Sequence, residues 1–319
     1  MARPLLGERE EELVLEVLRS GMLSLGPMVP RFEADFARAL GVGDAVAVSS
    51  GTAALHLAAR EQGWGPGDEV VTTPLSFIAT SNSLLFEGAE PVFCDVDPET
   101  LCIDPAAAEA AIGSRTAGLL PVHIFGWPAA MEELESIAAR YGLGIVEDAA
   151  QALGTVCEDG AGAGARGNPA AFAFYANKQM TTGEGGVLVP AGEEMAERAR
   201  SERNQGRSPD MSSVDHVTVG FNYRMTELQA ALGIAQIERL DEMLAARAEV
   251  AAVYRELLGA AGGAPAGQGD EDGLVLPCDD AGDEQRSWFV YVVQLPRGAD
   301  RAAVMGALAR LGGPAAALR

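Results

Sequence analysis

The residue whose surroundings best fit covalent chemistry is Lys178, in the run Ala171-Phe172-Ala173-Phe174-Tyr175-Ala176-Asn177-Lys178-Gln179-Met180-Thr181-Thr182-Gly183-Glu184-Gly185-Gly186. An apolar, strand-like segment ends abruptly, and the lysine follows among small and hydroxyl residues. The strand before it and the glycine pair after it leave little room for a solvated helix face. A lysine held at a strand end in a closed pocket loses its proton and attacks a carbonyl. The pattern therefore predicts a Schiff-base lysine, and the rest of the chain has to supply a site around it.

Two other stretches offer groups of the right kind. In Val48-Ser49-Ser50-Gly51-Thr52-Ala53-Ala54-Leu55 an apolar strand runs straight into a helix start. Free N–H groups at a helix N-terminus, with a glycine allowing close approach, make an anion site at Gly51, Thr52 and Ala53. An ordinary Ser or Thr cap reads the same way in isolation. In Gly144-Ile145-Val146-Glu147-Asp148-Ala149-Ala150-Gln151 two carboxylates emerge at the end of an apolar strand, where open α/β sheets bind ligands. A carboxylate there pairs with a protonated heterocyclic nitrogen. At 4 Å and an effective dielectric near 20 the attraction is about 4 kcal/mol, which is roughly three pKa units. A helix cap is the plainer reading of Asp148 taken alone. Phe77, in Thr73-Pro74-Leu75-Ser76-Phe77, closes another strand and could cover a planar ring, although a core aromatic is the plainer reading of it taken alone. Gly220-Phe221-Asn222-Tyr223-Arg224-Met225 puts three polar groups in a row before a long helical pattern.

The elements that must position these residues alternate along the chain. Apolar strands are expected at 45–48, 69–72, 91–94, 118–122, 144–146 and 187–189, with helices at 8–19, 29–40, 52–62, 77–86, 129–141 and 193–203. Strands that are apolar throughout, alternating with helices, indicate a mostly parallel α/β sheet covered on both faces. Residues 157–169 read as a loop. Residues 226–258 form a long helical pattern with a break expected near Gly233. Ser287 to Leu295, aromatic and β-branched, reads as a strand, and 301–311 as a helix. The expected domains are a large one over 1–240 and a small α+β one over 241–319.

Bulk properties exclude several classes. With 23 Lys and Arg against 46 Asp and Glu, the net charge is −23, so no basic stripe exists to neutralise nucleic-acid phosphates. No apolar run approaches the roughly 18 residues of a membrane span, and the charged N-terminus lacks a signal peptide's apolar block; a cytoplasmic protein is expected. The four cysteines (Cys94, Cys102, Cys157, Cys278) lack metal-ligand spacing and read as reduced and packed. No metal site is expected. No Gly-x-Gly-x-x-Gly follows the first strand, which argues against a dinucleotide fold.

Taken in order, the motifs Ser-Gly-Thr-Ala-Ala-Leu, Gly-Asp-Glu-Val-Val, Glu-Asp-Ala-Ala-Gln-Ala-Leu-Gly, Phe-Tyr-Ala-Asn-Lys-Gln-Met-Thr-Thr-Gly-Glu-Gly-Gly, Arg-Asn-Gln-Gly and Gly-Phe-Asn-Tyr-Arg-Met-Thr-Glu resemble the DegT/DnrJ/EryC1/StrS family. These are sugar aminotransferases that use pyridoxal 5′-phosphate (PLP) on the fold-type-I, aspartate-aminotransferase-like architecture. The resemblance runs from about Leu18 to Leu311. It implies that Lys178 bonds the cofactor's aldehyde and then shuttles a proton, and that Asp148 pairs with the pyridine nitrogen. It implies that Gln151 lies near the ring, that Phe77 stacks on it, and that Gly51, Thr52 and Ala53 hold the phosphate. Asn222 would reach the phosphate in the other subunit of a homodimer with shared sites. Arg224 and Tyr175 would meet the substrates, an amino-acid donor (glutamate or glutamine) and a nucleotide-linked keto sugar.

The chain departs from the family pattern in two places. Ala173 stands where many members have a phosphate-binding serine, so weaker PLP binding is expected. The chain also ends eight residues after Leu311, where members usually continue for some fifty or more; the small domain therefore reads as truncated, which makes a PLP-binding protein with little or no turnover one alternative. Another fold-type-I reaction, such as sugar dehydration, is the other, but the family's dehydratases carry histidine where this chain has Lys178.

Overall fold

Helix α1 (Glu8–Ser20) starts on three glutamates that complement its positive end and stops at Gly21, whose left-handed φ of 71° suits a residue without Cβ. Helix α2 (Met28–Leu40) buries Phe32 and Phe36 completely. Their rings meet Phe174 and Phe172 edge-on, with centroids 5.7 and 5.3 Å apart. The aromatic run before Lys178 is thus anchored in the core by the N-terminal helices. The computed structural model describes residues 4–208, 215–269, 272–280, 282 and 284–311.

The β/α alternation follows as β1 (Val46–Val48), α3 (Gly51–Glu61), β2 (Glu69–Thr72), α4 (Ala79–Glu87), β3 (Glu90–Phe93), α5 (Pro105–Ala110), β4 (Thr116–Leu119), α6 (Met131–Tyr141), β5 (Gly144–Ile145) and β6 (Glu147–Asp148). Strands β7 (Ala170–Ala173) and β8 (Gly186–Val189) enclose the Lys178 segment, and α7 (Glu193–Glu202) follows. One sheet has the order β3-β2-β4-β5 and is parallel throughout; the other is β1-β8-β7-β6. Val146 lies between β5 and β6, and its N–H bonds Leu119 as the Asp148 N–H bonds Pro121, which joins the two sheets along one strand line. Strand β8 runs antiparallel to both β1 and β7, whereas β6 and β7 are parallel. The carboxyl ends of β1, β6 and β7 therefore share one sheet edge. Gly51, Asp148 and Lys178 all follow those ends, the position where open α/β sheets place ligands.

Helix α8 (Glu227–Ile237) starts from a Thr226/Gln229 capping box, and α9 (Leu240–Ala260) follows. The break falls at 238–239 and not near Gly233. Gly233 lies within α8 because a Cβ there would be 2.6 Å from the Phe32 ring, so close helix packing explains the glycine. A parallel pair, β9 (Ala264–Pro265) and β10 (Val275–Leu276), and α10 (Arg301–Arg310) complete the described elements. The strand expected at 287–295 does not form. Trp288 adopts φ 46°, and the N–H groups of Ser287 and Phe289 bond Gly126 and Phe125 instead of a ladder.

No described helix is long and apolar enough to cross a membrane. Among the described residues no group of three or more His, Cys, Asp or Glu could hold a metal ion, and the four cysteines are free thiols.

Candidate active site

Asp148 is the electrostatic centre of the site. Buried at the end of β6, it accepts hydrogen bonds from Thr80 Oγ1 at 2.7 Å and from the Ala150 N–H at 3.1 Å. Ser76 Oγ lies 2.6 Å from Thr80 Oγ1 and completes a hydroxyl relay from the turn that carries Phe77. Burial pushes the Asp148 carboxyl above its usual range, against the opposing effects of Thr80, the Ala150 amide and the Lys178 charge. A desolvated carboxylate of this kind favours a cationic partner.

Lys178 lies in the turn that follows β7, its N–H donated to the Tyr175 carbonyl at 3.0 Å. Burial lowers its amine from 10.5 to about 8, although the neighbouring Asp148 charge pulls the other way. Its Nζ lies 4.4 Å from the centre of the Phe289 ring, close enough for a cation–π contact. The amine is therefore substantially neutral in mildly basic solution, the form that adds to a carbonyl.

The loop after β1 provides a close-approach cradle. Ser50 caps α3 by accepting the Ala53 N–H at 3.1 Å, which leaves the Gly51 and Thr52 N–H groups without an acceptor among the described residues. The cap thus takes one of the three amides expected to bind an anion. A Cβ on Gly51 would lie 2.5 Å from the Ala173 Cβ, and one on Gly186 would lie 2.5 Å from the Ser50 carbonyl group. Gly51→Ala should destabilise the apo protein by about 1–3 kcal/mol through overpacking and weaken cofactor binding by displacing the helix start. Thermal melts and a cofactor titration measure both effects. The double variant Gly51→Ala/Ala173→Gly, which moves the methyl group across the contact, should recover most of the loss.

Gln151 ties the site together through both its ends. Its Oε1 accepts the Phe125 N–H at 2.9 Å, and its backbone carbonyl accepts from Gln179 Nε2, adjacent to Lys178. Phe77 is 69% exposed and Tyr175 49%, so both stand at the open rim of the chain. Asn222 is exposed as well. The segment carrying it adds to the free side of β1, where Ser49 N–H bonds Tyr223 O at 2.7 Å and Arg224 bridges Val48. Arg224 donates to Asn204 Oδ1 at 3.0 Å and lines a separate cavity of about 450 Å³ that also presents Arg200, Arg203 and Arg207. The structure thus brings Lys178, Asp148, Gln151 and the Gly51 loop to one sheet edge. Phe77, Tyr175, Asn222 and Arg224 lie around its margins.

Sequence reasoning missed several supports. His123 ends the β4 line as Asp148 ends β6, fully buried; its Nδ1 accepts the Ala129 N–H, so Nε2 carries the proton and donates to Glu147 at 2.9 Å. Glu147 is thereby an internal anchor and Asp148 the carboxylate available to a ligand. A histidine closing an apolar strand was the available signal. His56 bridges α3 to Tyr223 OH (2.9 Å) and Glu87 (2.7 Å), fixing the Asn222–Arg224 segment. Thr80 left no local signal, because its partner Asp148 is 68 residues away.

The residues fit PLP on three counts: a glycine-lined helix start for its phosphate, a buried carboxylate for its ring nitrogen, and a neutral amine for its aldehyde. The buried Asn177 Oδ1, without a partner among the described residues, is a further polar atom beside Lys178. A mostly parallel α/β protein with this edge is a fold-type-I PLP enzyme. The chain belongs to the DegT/DnrJ/EryC1/StrS aminotransferase family, which it matches over residues 4–315.

The chain is 42% identical over 259 residues to GDP-perosamine synthase of Caulobacter vibrioides, covering 81% of this chain and 69% of that protein. It is 40% identical over 303 residues to the spore coat polysaccharide biosynthesis protein SpsC of Bacillus subtilis, covering 92% and 74%. The crystal structure of S. venezuelae DesV in complex with a ketimine intermediate superposes with a TM-score of 0.85 at 38% identity, covering 95% and 77%. PLP is the cofactor of these aminotransferases, and solved relatives hold its amine form, PMP. The expectation of a truncated small domain is not borne out.

Proposed function

We propose that this enzyme transfers an amino group from glutamate or glutamine to the keto group of a nucleotide-linked sugar. The observation that carries the reading is the pairing of a desolvated amine, Lys178, with a buried carboxylate, Asp148, at one sheet edge. PLP, when bound, supplies an aldehyde carbon that takes up the amino group and an electron-withdrawing ring. Asp148 would keep a proton on the ring nitrogen, and Gly51 and Thr52 would donate to the phosphate. Lys178 Nζ, once released, would take a proton from the substrate carbon and return it to the carbon on the far side of the transferred nitrogen. Phe77 and Gln151 would orient the ring, and Arg224 and Tyr175 would meet the substrates. The similarity to GDP-perosamine synthase supports a nucleotide sugar as acceptor.

A homodimer with shared sites fits the same picture. Asn222 is exposed beside the Gly51 loop, and Phe77, Ile78, Leu85 and Phe86 form an exposed apolar group on and before α4. In the dimer Asn222 would serve the partner's phosphate, and the enzyme would work in the cytoplasm.

A half-reaction tests the transfer directly. Purified protein loaded with PLP and given glutamate or glutamine should convert its bound cofactor to the amine form, read by the loss of the PLP absorbance. A cofactor band that neither donor changes would refute the proposed donors.

A further inference from the structure

Arg247 belongs to none of the motifs that define the site, yet its side chain reaches the site's centre. It projects from α9 and is partly buried. Its Nη2 donates to the Lys178 carbonyl at 2.7 Å, and its Nη1 donates to the carbonyls of Trp288 and Phe289 at 3.2 Å each. Among the described residues these acceptors are all backbone carbonyls, and no carboxylate pairs with the guanidinium. An arginine desolvated without a counter-ion is costly to keep. Its geometric result is specific: one planar fork joins two peptides more than a hundred residues apart in sequence.

The segment that Arg247 holds has a function of its own. The Phe289 ring lies 4.4 Å from Lys178 Nζ. Trp288, at φ 46°, and Phe125, at φ 59°, are both in the left-handed region, and Phe289 N–H bonds Phe125 O at 3.1 Å. Strained residues persist only where surrounding contacts over-determine them. Gly126 permits the approach, since a Cβ there would lie 2.8 Å from Ser287 Oγ and 3.0 Å from the Trp288 nitrogen. Ser287 Oγ also meets Thr155 Oγ1 at 2.9 Å and Gln179 Nε2 at 2.8 Å. The 287–289 segment is therefore built into the wall beside the lysine.

We propose that Arg247 is a positioning residue for Lys178, clamping the lysine's peptide to the 287–289 segment so that the Phe289 ring covers the amine and excludes water from it. The inference rests on the reading of Lys178 as the amine that bonds the cofactor. Of the ionisable groups around that amine, Asp148 acts on its charge, and Arg247 meets its backbone carbonyl. Burial is the dominant influence on the amine, so loosening the clamp admits water and moves its protonation toward the ordinary lysine value.

The test uses the full chain without cofactor, so that it is independent of turnover. Lys178 is labelled with trinitrobenzenesulfonate across a pH series, and its peptide is quantified by mass spectrometry. The midpoint of the rate reports the proton and the plateau reports access. The wild-type midpoint should fall at about 8. In Arg247→Met it should rise by about one pH unit or more, with a smaller rise in the same direction for Arg247→Lys. Phe289→Ala, which removes the cover but leaves the clamp arginine, should also raise it. Circular dichroism identifies variants that fold. An unchanged midpoint in folded Arg247→Met overturns the proposal, and so does an unchanged midpoint in both Arg247→Lys and Phe289→Ala if Arg247→Met does not fold. Borohydride trapping of PLP on the wild-type protein is run alongside. Lys178 is the chain's only lysine, so a wild-type protein that leaves no trapped adduct on it overturns the functional reading without bearing on the clamp.

Discussion

Lys178→Ala should abolish borohydride trapping of PLP and leave no activity above background. The expectation follows from the site's construction. The amine is one of a kind there: it follows the strand end that also faces Asp148, and burial brings it to about 8. A methyl group in its place cannot bond an aldehyde or move a proton, so both the bond to the cofactor and the proton shuttle are lost together. PLP should still bind non-covalently through the Gly51 loop and Asp148. Lys178 is the chain's only lysine, so peptide mapping of the wild type after borohydride treatment is the decisive measurement, and either no adduct on Lys178 or turnover retained by the variant would refute the assignment. The wild-type pH dependence provides a second check. Since the free amine is the nucleophile, the rate of PLP capture by the apo protein should rise up to about pH 8 and then level, instead of climbing to 10.5. The same depression has a consequence for folding. Between about pH 8 and 10.5 the unfolded chain binds the extra proton, so the apo protein should gain stability as pH rises through that window.

Lys178 and Asp148 were readable because the information is local. Each follows an apolar strand, and a polar residue at that point has few roles in a sheet covered on both faces. The mostly parallel α/β class was readable for the same reason, from strands apolar throughout alternating with amphipathic helices. What could not be read is whatever depends on contacts across the chain. Thr80 orients Asp148 from 68 residues away, and Arg247 reaches Lys178 from 69; neither position has any distinguishing neighbour. Two expectations failed for instructive reasons. The aromatic, β-branched run at 287–295 has strand composition, but its residues serve to pack against Lys178 and the 124–126 turn. Gly233 looked like a helix break, and its small size instead lets α8 press against Phe32. In both places composition recorded a packing demand that mimicked a secondary-structure signal.

Asp148→Asn should leave PLP bound and reduce transamination by about two to three orders of magnitude. A carboxylate about 4 Å from a ring cation at an effective dielectric near 20 contributes about 4 kcal/mol, or roughly three pKa units. Asparagine keeps the shape, with its Oδ1 accepting the Ala150 N–H and its Nδ2 donating to Thr80 Oγ1 in a reversed bond, but supplies no charge, so the ring nitrogen gives up its proton and the ring withdraws electrons less. The loss should appear in kcat and kcat/KM together, as for an interaction that matters in the transition state. The wild-type carboxyl, raised by burial, becomes protonated at a higher pH than an ordinary aspartate once no cation faces it. Cofactor affinity should accordingly weaken more steeply on acidification in the wild type than in the variant, since the ionised carboxylate strengthens binding, whereas the Lys178 amine adds its own pH dependence to both. Titrating PLP into both proteins over a pH series measures the difference. Near-wild-type turnover in Asp148→Asn, or an acid dependence of affinity equally steep in the two proteins, would remove Asp148 from the role and leave the sheet edge without its electrostatic centre.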